Sequence, residues 1–256
     1  MNENTAVTLP RVQAAARAMN LTFSDRQIEQ LEILRAVLLD WNTRINLTGI
    51  TDPDEVEILH FVDSLAGLLC LPTTLGLKVI DVGTGAGIPG LVLKIARPDL
   101  DLTLLESVRK KTVFLDAVIA ALGFDQPTPD SGPAVSVVCG RAENLGQDPA
   151  RRESFDVAMS RALALLPVVA ELCLPLVRTG GLVLAWKKRD INLEAESAAR
   201  AVSILGGKRM SGVPVDLPNL PADRQIIRYA KERKTPARYP RPPGTPAKNP
   251  ILPNHR

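Results

Sequence analysis

The sequence predicts an α/β fold: one mostly parallel, seven-stranded sheet with helices on both faces, preceded by a helical extension. Three observations carry this. From Lys78 onward, short β-rich runs alternate with longer helical stretches, the pattern of consecutive β-α units. Those runs, "KVIDV" and "LTLLE" among them, are apolar on both sides, as strands buried between two helical layers must be. A chain of 256 residues, 45% hydrophobic and 23% charged, also has the apolar material for a sizeable core.

Taken in order, residues 24–40 carry Leu or Ile at 28, 31, 34, 38 and 39, a helical spacing. They open with Ser24 and, three places on, Gln27, which reads as a capping box. Pro53 is preset for the first turn of a second helix over 54–70. The strands are then expected at 78–82, 102–106, 135–139, 155–160 and 180–187, with helices at 88–97, 107–122, 163–178 and 190–205. A short loop is expected after the third strand. Beyond Gly206 and Gly207 the runs 208–215 and 224–230 have no helix between them and suit an antiparallel hairpin at the sheet edge. The tail from Lys234 holds seven prolines in 23 residues, so it is expected to be extended and partly mobile. The chain divides into a helical extension (1–75), the α/β unit (76–232) and a basic Pro-rich tail (233–256).

Composition narrows the function. Cys70, Cys139 and Cys173 are unevenly spaced among aliphatic residues; they read as buried reduced thiols, and neither a disulfide framework nor a zinc spacing is present. No metal is expected. The N-terminus lacks an apolar signal core, and the longest apolar stretch, 163–177, is broken by Pro167, Glu171 and Pro175. A soluble, cytoplasmic protein without a membrane partner is expected. Net charge is only +3, but after Glu232 no acid follows while Arg233, Lys234, Arg238, Arg241, Lys248 and Arg256 do. That imbalance suggests a polyanionic partner.

The chemistry concentrates in "VIDVGTGAGIPGLVL", residues 79–93. Gly85, Gly87 and Gly90 form a literal GxGxxG between a strand and a helix, which could seat a dinucleotide pyrophosphate. Asp81 argues against that, because a fixed carboxylate there repels a pyrophosphate and attracts an ammonium group. The register Asp81, Gly83, Thr84, Gly85, Gly87 therefore fits a cofactor with an amino-acid end. Glu106 closes the next strand, 23 residues after Gly83, where an acid accepts both ribose hydroxyls. Ala142 and Glu143 follow the third strand and could meet an adenine ring. Arg161 ends the fourth strand, at the sheet edge where open α/β folds bind ligands.

Together these residues read as a Rossmann-like class I methyltransferase using S-adenosyl-L-methionine. An NAD-type dehydrogenase is the alternative, but it would need a proton-transfer residue; His60 and His255 are the only histidines and no Tyr-x-x-x-Lys pair occurs. A non-catalytic protein that binds RNA or senses the cofactor is a third reading, against which the intact loop and acids speak.

With those residues in hand, the chain resembles the bacterial small-subunit ribosomal RNA guanine-7 methyltransferases, the glucose-inhibited division protein B family. The resemblance rests on "WNTRINLT" (41–48), "HFVDS" (60–64), "DVGTGAGIPG" (81–90), "LLES" (104–107), "GRAE" (140–143), "SRA" (160–162) and the tail "KTPARYPRPPGTPAKNPI". It implies methyl transfer to nitrogen 7 of one guanine in the decoding-region loop of 16S rRNA, with S-adenosyl-L-methionine as donor and the free RNA or the small ribosomal subunit as partner. It places Gly83, Ile88, Ala142, Glu143 and Arg161 at the cofactor. Glu106 stands where the family often has aspartate, and Trp186-Lys187-Lys188 replaces a frequent Leu-Lys-Gly.

A free lone pair on nitrogen 7 needs alignment rather than a base, and well-oriented reactants can supply roughly 7–11 kcal/mol. Arg161, the residue assigned to the reacting end, is accordingly cast as a cofactor, phosphate or guanine-oxygen contact and not as an acid. RNA contacts are expected from Arg44, Asn46, Arg109, Lys110, Lys111, Lys187, Lys188, Arg189, Arg238 and Arg241. His60 reads equally as a structural partner of Asp63 or the backbone and as a ligand contact. Trp41 reads as core in preference to a stacking platform. A monomer is expected.

Overall fold

The computed structural model describes residues 8–188 and 191–253. Helix α1 (Pro10–Ala18) places proline in its first turn, where a missing N–H leaves no bond unmade. Its other orphan donors reach a distant acceptor: the buried Glu57 carboxylate takes the N–H of Arg11 at 2.6 Å and of Val12 at 3.0 Å. Helix α2 (Asp25–Asn42) starts on the expected capping box, with Ser24 N–H donating to Gln27 Oε1 at 2.9 Å and Gln27 N–H to Ser24 Oγ at 3.3 Å. The second predicted helix is one segment of changing winding. It runs through α3 (Pro53–Val56), a π-helical turn (Glu57–Val62), α4 (Asp63–Leu65) and a 3₁₀ turn (Ala66–Leu69). Wide turns of this kind often mark functional positions.

The α/β part follows as β1 (Lys78–Val82), α5 (Gly90–Ala96), β2 (Asp101–Glu106), α6 (Arg109–Leu122), β3 (Ser136–Cys139), α7 (Ala142–Gln147), β4 (Phe155–Arg161) and α8 (Leu166–Cys173). It continues through β5 (Val177–Lys188), α9 (Asn192–Ser197), α10 (Ala199–Ile204), β6 (Gly207–Arg209), β7 (Val213–Pro214), β8 (Arg224–Lys231) and the single-turn α11 (Thr245–Lys248). The sheet order is β3-β2-β1-β4-β5-β8-β6, with β7 also on β8. Strands β1 to β5 are parallel, and β8 runs antiparallel to β5 and β6. The strand order therefore reverses between β1 and β4, and crevices at such switch points bind ligands.

Alternation along the strands builds two cores. Val79, Leu104, Met159, Leu184 and Trp186 face the layer made by α2, α5 and α6. Ile80, Val82, Ala158, Ala185 and Tyr229 face the layer of α8 and α10.

Four expectations need correction. The residues after the third strand are helical, because Arg141 in extended conformation launches α7. The predicted helix over 163–178 stops at Cys173, and β5 already begins at Val177. The single run 208–215 is two short strands, with Met210 N–H still held by Arg228 O at 2.9 Å across the break. Cys139 is exposed, while Cys70 and Cys173 are buried as expected.

Over its described residues the tail is extended but docked. Arg152 donates to Thr235 O and to Tyr239 O, both at 2.7 Å. The fully buried Glu171 carboxylate of α8 accepts Arg241 Nε at 2.8 Å and Nη2 at 2.6 Å. Charge pairs sealed this way matter most when broken, since the partner left behind has lost its water. Replacing Arg241 by Ala should cost about 3 kcal/mol in unfolding free energy, while Arg241→Lys keeps part of that. Urea denaturation of the two variants checks the order.

Candidate active site

The glycine turn between β1 and α5 is shaped by backbone sterics. Gly83, Gly85 and Gly87 adopt φ of +69°, +59° and +76°, a left-handed conformation that costs other residues roughly 1–2 kcal/mol each. Gly83 N–H and Thr84 N–H both donate to Leu105 O, at 2.9 and 3.1 Å, and lash the turn to β2. Beneath it, Asp81 is sealed from solvent. Its Oδ2 accepts from Thr84 Oγ1 at 2.7 Å and from Gly90 N–H at 2.9 Å. A Cβ on Gly90 would stand 2.7 Å from Leu104 Cδ2 and 3.0 Å from Asp81 Oδ2. That close approach is what the glycine permits. Burial pushes the Asp81 pKa up to about 6, against the pull of those two hydrogen bonds. Its Oδ1 has no partner among the described residues.

Glu106, 6% exposed, grips the turn from the other side. Its Oε2 accepts Gly85 N–H at 3.0 Å and its Oε1 accepts Val108 N–H at 2.8 Å. Beside Gly83, on the α8 side of the sheet, lies a cavity of about 80 Å³ walled by Leu105, Ala142, Leu163 and Leu172. At Gly85, beyond its two chain neighbours, no atom of the described residues lies within 4 Å of where a Cβ would stand. An amino-acid end against the open backbone above the buried Asp81, a ribose beside Glu106 and an adenine edge at the apolar slot suit S-adenosylmethionine.

A larger cavity of about 400 Å³ opens at the same sheet edge, among Leu59, His60, Asp63, Arg161, Trp186 and Arg224. Arg161 is its hub. Nη1 donates to Leu59 O at 2.9 Å and to Asp63 Oδ2 at 3.1 Å, and Nη2 meets His60 Nδ1 at 2.9 Å. A guanidinium can only donate, so His60 Nδ1 accepts and the ring proton is assigned to Nε2, which lies 2.9 Å from Thr48 Oγ1. Burial, and then the positive charge of Arg161, hold the His60 pKa down at about 4. Burial also pushes the Asp63 carboxyl above its usual range, opposed by Arg161. Trp186 Nε1 donates to Asp63 O at 2.8 Å and fixes the indole in the wall.

The other expected site residues fall into three groups. Asp81, Gly83, Thr84, Gly85, Gly87 and Glu106 meet at the turn, and Ala142 lines the small cavity. Thr84, however, is buried against Asp81 and supports it. Glu143 lines the same small cavity beside Ala142, while its Oε1 accepts Gly244 N–H of the tail at 2.8 Å and Arg141 Nη2 at 3.3 Å; the Ile88 side chain belongs to the core. Arg161 lies in the larger cavity and is not part of the small one's lining.

Among the expected RNA contacts, Asn46, Arg109, Lys110, Lys188 and Arg238 are exposed and Lys111 is partly so. Three cations are already engaged. Arg44 pairs with Asp40 above the Trp41 ring. Lys187 Nζ bonds Glu194 Oε1 at 2.6 Å and Ala164 O at 2.8 Å. Arg241 is held by Glu171. Arg189 lies outside the described residues. Trp41 packs edge-on to Phe114 at 5.8 Å, a core role. Sequence reasoning missed Leu59, Trp186 and Arg224 as site residues. His60 and Asp63 were visible in the "HFVDS" block, whereas Arg224 stands in no motif and reaches the cavity only because it pairs with Lys188 across β5 and β8.

A glycine turn flanked by two buried carboxylates, at the switch point of a doubly wound sheet, favours a ligand with an ammonium end over a pyrophosphate, and so defines an S-adenosylmethionine-dependent methyltransferase. The particular family is the GidB family, to which this chain belongs: the model described as rRNA small subunit methyltransferase G matches residues 27–220. The chain is 44% identical over 238 residues to the ribosomal RNA small subunit methyltransferase G of Moorella thermoacetica, covering 93% of this chain and 96% of that protein. It is 46% identical to the protein of the same name from Symbiobacterium thermophilum, covering 83% and 85%. Among solved structures, MtNAS in complex with MTA and tNA shares the fold, with a TM-score of 0.50 at 15% identity over 80% of this chain and 70% of that one.

Two outcomes follow from this geometry. Gly83→Ala meets a left-handed φ and puts its Cβ 2.4 Å from Leu163 Cδ1; cofactor affinity, read by calorimetry, should fall at least about tenfold, the counterpart of a 1–2 kcal/mol conformational cost. For His60, the folded value of about 4 lies below the ordinary 6.5, so the unfolded chain binds more protons between those pH values. The stability that neutral His60 contributes is complete above about pH 6.5 and is lost as pH falls toward 4. His60→Gln should flatten that part of the unfolding free energy against pH, measured by urea titration from pH 4 to 7.

Proposed function

We propose that this protein transfers a methyl group from S-adenosyl-L-methionine to nitrogen 7 of one guanine in the decoding-region loop of 16S rRNA. The observation that carries the reading is the larger cavity. It opens at the same carboxyl edge of the sheet as the cofactor turn and joins an indole wall to a cationic one. Its histidine is locked neutral. Such a pocket suits a base that must be oriented and not deprotonated.

Bound S-adenosylmethionine supplies an electrophilic methyl group on its sulfonium. Everything else is positioning by this chain's residues. Asp81 and Glu106 hold the glycine turn open to the amino-acid end and the ribose. Ala142 lines the slot for the adenine edge. His60 serves by orienting Arg161, since its two ring nitrogens are both engaged. Nitrogen 7 lies on the major-groove edge, which A-form RNA hides, so the guanine is taken unpaired or flipped. Positive charge grows on the methylated base, and Asp63 behind Arg161 offsets the guanidinium beside it.

The basic surface supports an RNA substrate. Arg109, Lys110 and Lys111 occupy the first turn of α6, which carries no acid there. Cations at a helix N-terminus oppose the dipole, and a phosphate backbone laid over them relieves that repulsion. Lys188 and Arg238 extend the same reading. It makes the partner 16S rRNA, free or within the small subunit, and the protein a cytoplasmic monomer, with 1–75 and 233–256 as additions to a catalytic unit at 76–232. Among the described residues no helix is long and apolar enough to cross a membrane. Nor does any group of three His, Cys, Asp or Glu that could hold a metal occur among them.

The test is a transfer assay with labelled cofactor on small subunits and on protein-free 16S rRNA, followed by mapping of the base. Label recovered as 7-methylguanine in the decoding-region loop is expected; cofactor binding with no label in either RNA overturns the proposal. Replacing Arg109, Lys110 and Lys111 together by Gln should raise KM for RNA roughly 10- to 100-fold near physiological salt, with the cofactor Kd unchanged.

A further inference from the structure

Arg224 is the residue of the larger cavity that the reading above leaves without a task. It opens β8 opposite Lys188 at the carboxyl edge of the parallel strands, and its side chain is 19% exposed. Two acids steer it. Asp223 Oδ1 accepts Arg224 Nη1 at 2.8 Å, and Asp63 Oδ1 lies 3.5 Å from Arg224 Nε. Asp63 is itself buried, and its other oxygen already binds Arg161. One carboxylate thus stands between two guanidiniums that reach the same cavity from β4 and from β8. Asp63 Oδ1 accepts no hydrogen bond within normal reach among the described residues, so its pull on Arg224 is the pull of charge, set by placement.

The donors left over point to a ligand. A guanidinium carries five N–H groups in a planar fork. At Arg224 one of them is hydrogen-bonded among the described residues, and the rest are available at the mouth of a cavity that Lys188 also lines. Lys187, next along β5, also borders the cavity, but its Nζ is held by Glu194 and by Ala164 O. Among the described residues, Lys188 and Arg224 are therefore the pair of cations this edge offers to a ligand, while Arg161 is committed to Leu59, His60 and Asp63. A fork with parallel donors matches two oxygens of one phosphate, and the adjoining apolar wall of Ile50 and Trp186 suits the sugar and base that come with it.

We propose that Arg224, aimed by Asp63 and Asp223, binds a backbone phosphate at the acceptor nucleotide and so sets how deeply the target base enters the cavity. Arg224 is a substrate-positioning residue, and Asp63 acts through it and through Arg161. This rests on the RNA methyltransferase reading, and the experiment separates the two.

Binding of protein-free 16S rRNA is measured by filter retention from 50 to 300 mM KCl for the wild type, Arg224→Gln and Arg224→Lys, alongside cofactor binding, melting temperature and methyl transfer. Arg224→Gln should weaken RNA binding about tenfold at 100 mM KCl and lower the slope of log affinity against log salt by about 1. Its cofactor Kd and melting temperature stay at wild-type values, which a merely structural role would move. Arg224→Lys keeps the charge and the slope but loses the fork, so its KM for RNA rises about fivefold and its kcat falls as the base is seated less well. Arg224→Gln with the wild-type slope and affinity overturns the proposal; should that variant not fold, Arg224→Lys within twofold of the wild type in KM overturns it instead. A tenfold loss that 10 mM inorganic phosphate reproduces in the wild type, but that leaves transfer to RNA intact, assigns the site to free phosphate and also overturns it. A wild type that labels no RNA ends the functional reading, and with it this one.

Discussion

A carboxylate sealed from water at the end of the first strand holds the cofactor turn in shape. Burying Asp81 is unfavourable in itself, and the two hydrogen bonds to its Oδ2 offset that only in part, as its raised pKa records. What the arrangement secures is geometry. Thr84 and Gly90 are drawn to one oxygen, so the path from strand to helix is fixed at both ends. Glu106 repeats the device from the neighbouring strand by taking Gly85 N–H. The left-handed glycines lie between these two acids, and the walls of the small cavity are placed relative to them.

The second organising element is Arg161, which joins the extension to the sheet. Its partners Leu59, His60 and Asp63 come from the π-helical turn and the residue after it. The helices ahead of β1 are therefore more than packing for one face, because they bring Leu59, His60 and Asp63 into the wall of the larger cavity. His60 must stay neutral for this to hold, since a protonated ring could not accept from a guanidinium. A group that elsewhere shuttles protons is here a spacer.

What the sequence made legible was local. The Ser24 and Gln27 cap, the strand alternation and the glycine turn follow from backbone sterics and short-range hydrogen bonds, and these residues lie where their spacing put them. The side-chain roles were less legible, because they depend on partners far along the chain. Arg241 and Lys187 read as free cations until Glu171 and Glu194 are seen beside them. Glu143 does line the small cavity, as an adenine contact would, but that the tail engages its Oε1 was not legible. Composition could not distinguish Lys187 from Lys188, which both border the larger cavity; Glu194, seven residues on, engages the first of them. Arg224 had no local signal at all; its place depends on the register of the last strand.

The hub at Arg161 also bears on how the molecule comes to exist. Arg161 and Leu59 are 102 residues apart in sequence, and Trp186 and Asp63 are 123 apart. Contacts of that separation close large loops and reward the chain late in folding. The larger cavity is complete only once the first helices, the middle strands and β8 have all found one another. A half-folded chain can build the local glycine turn, but it has no walls in which to turn a base, and the ability to hold a substrate arrives together with the finished topology.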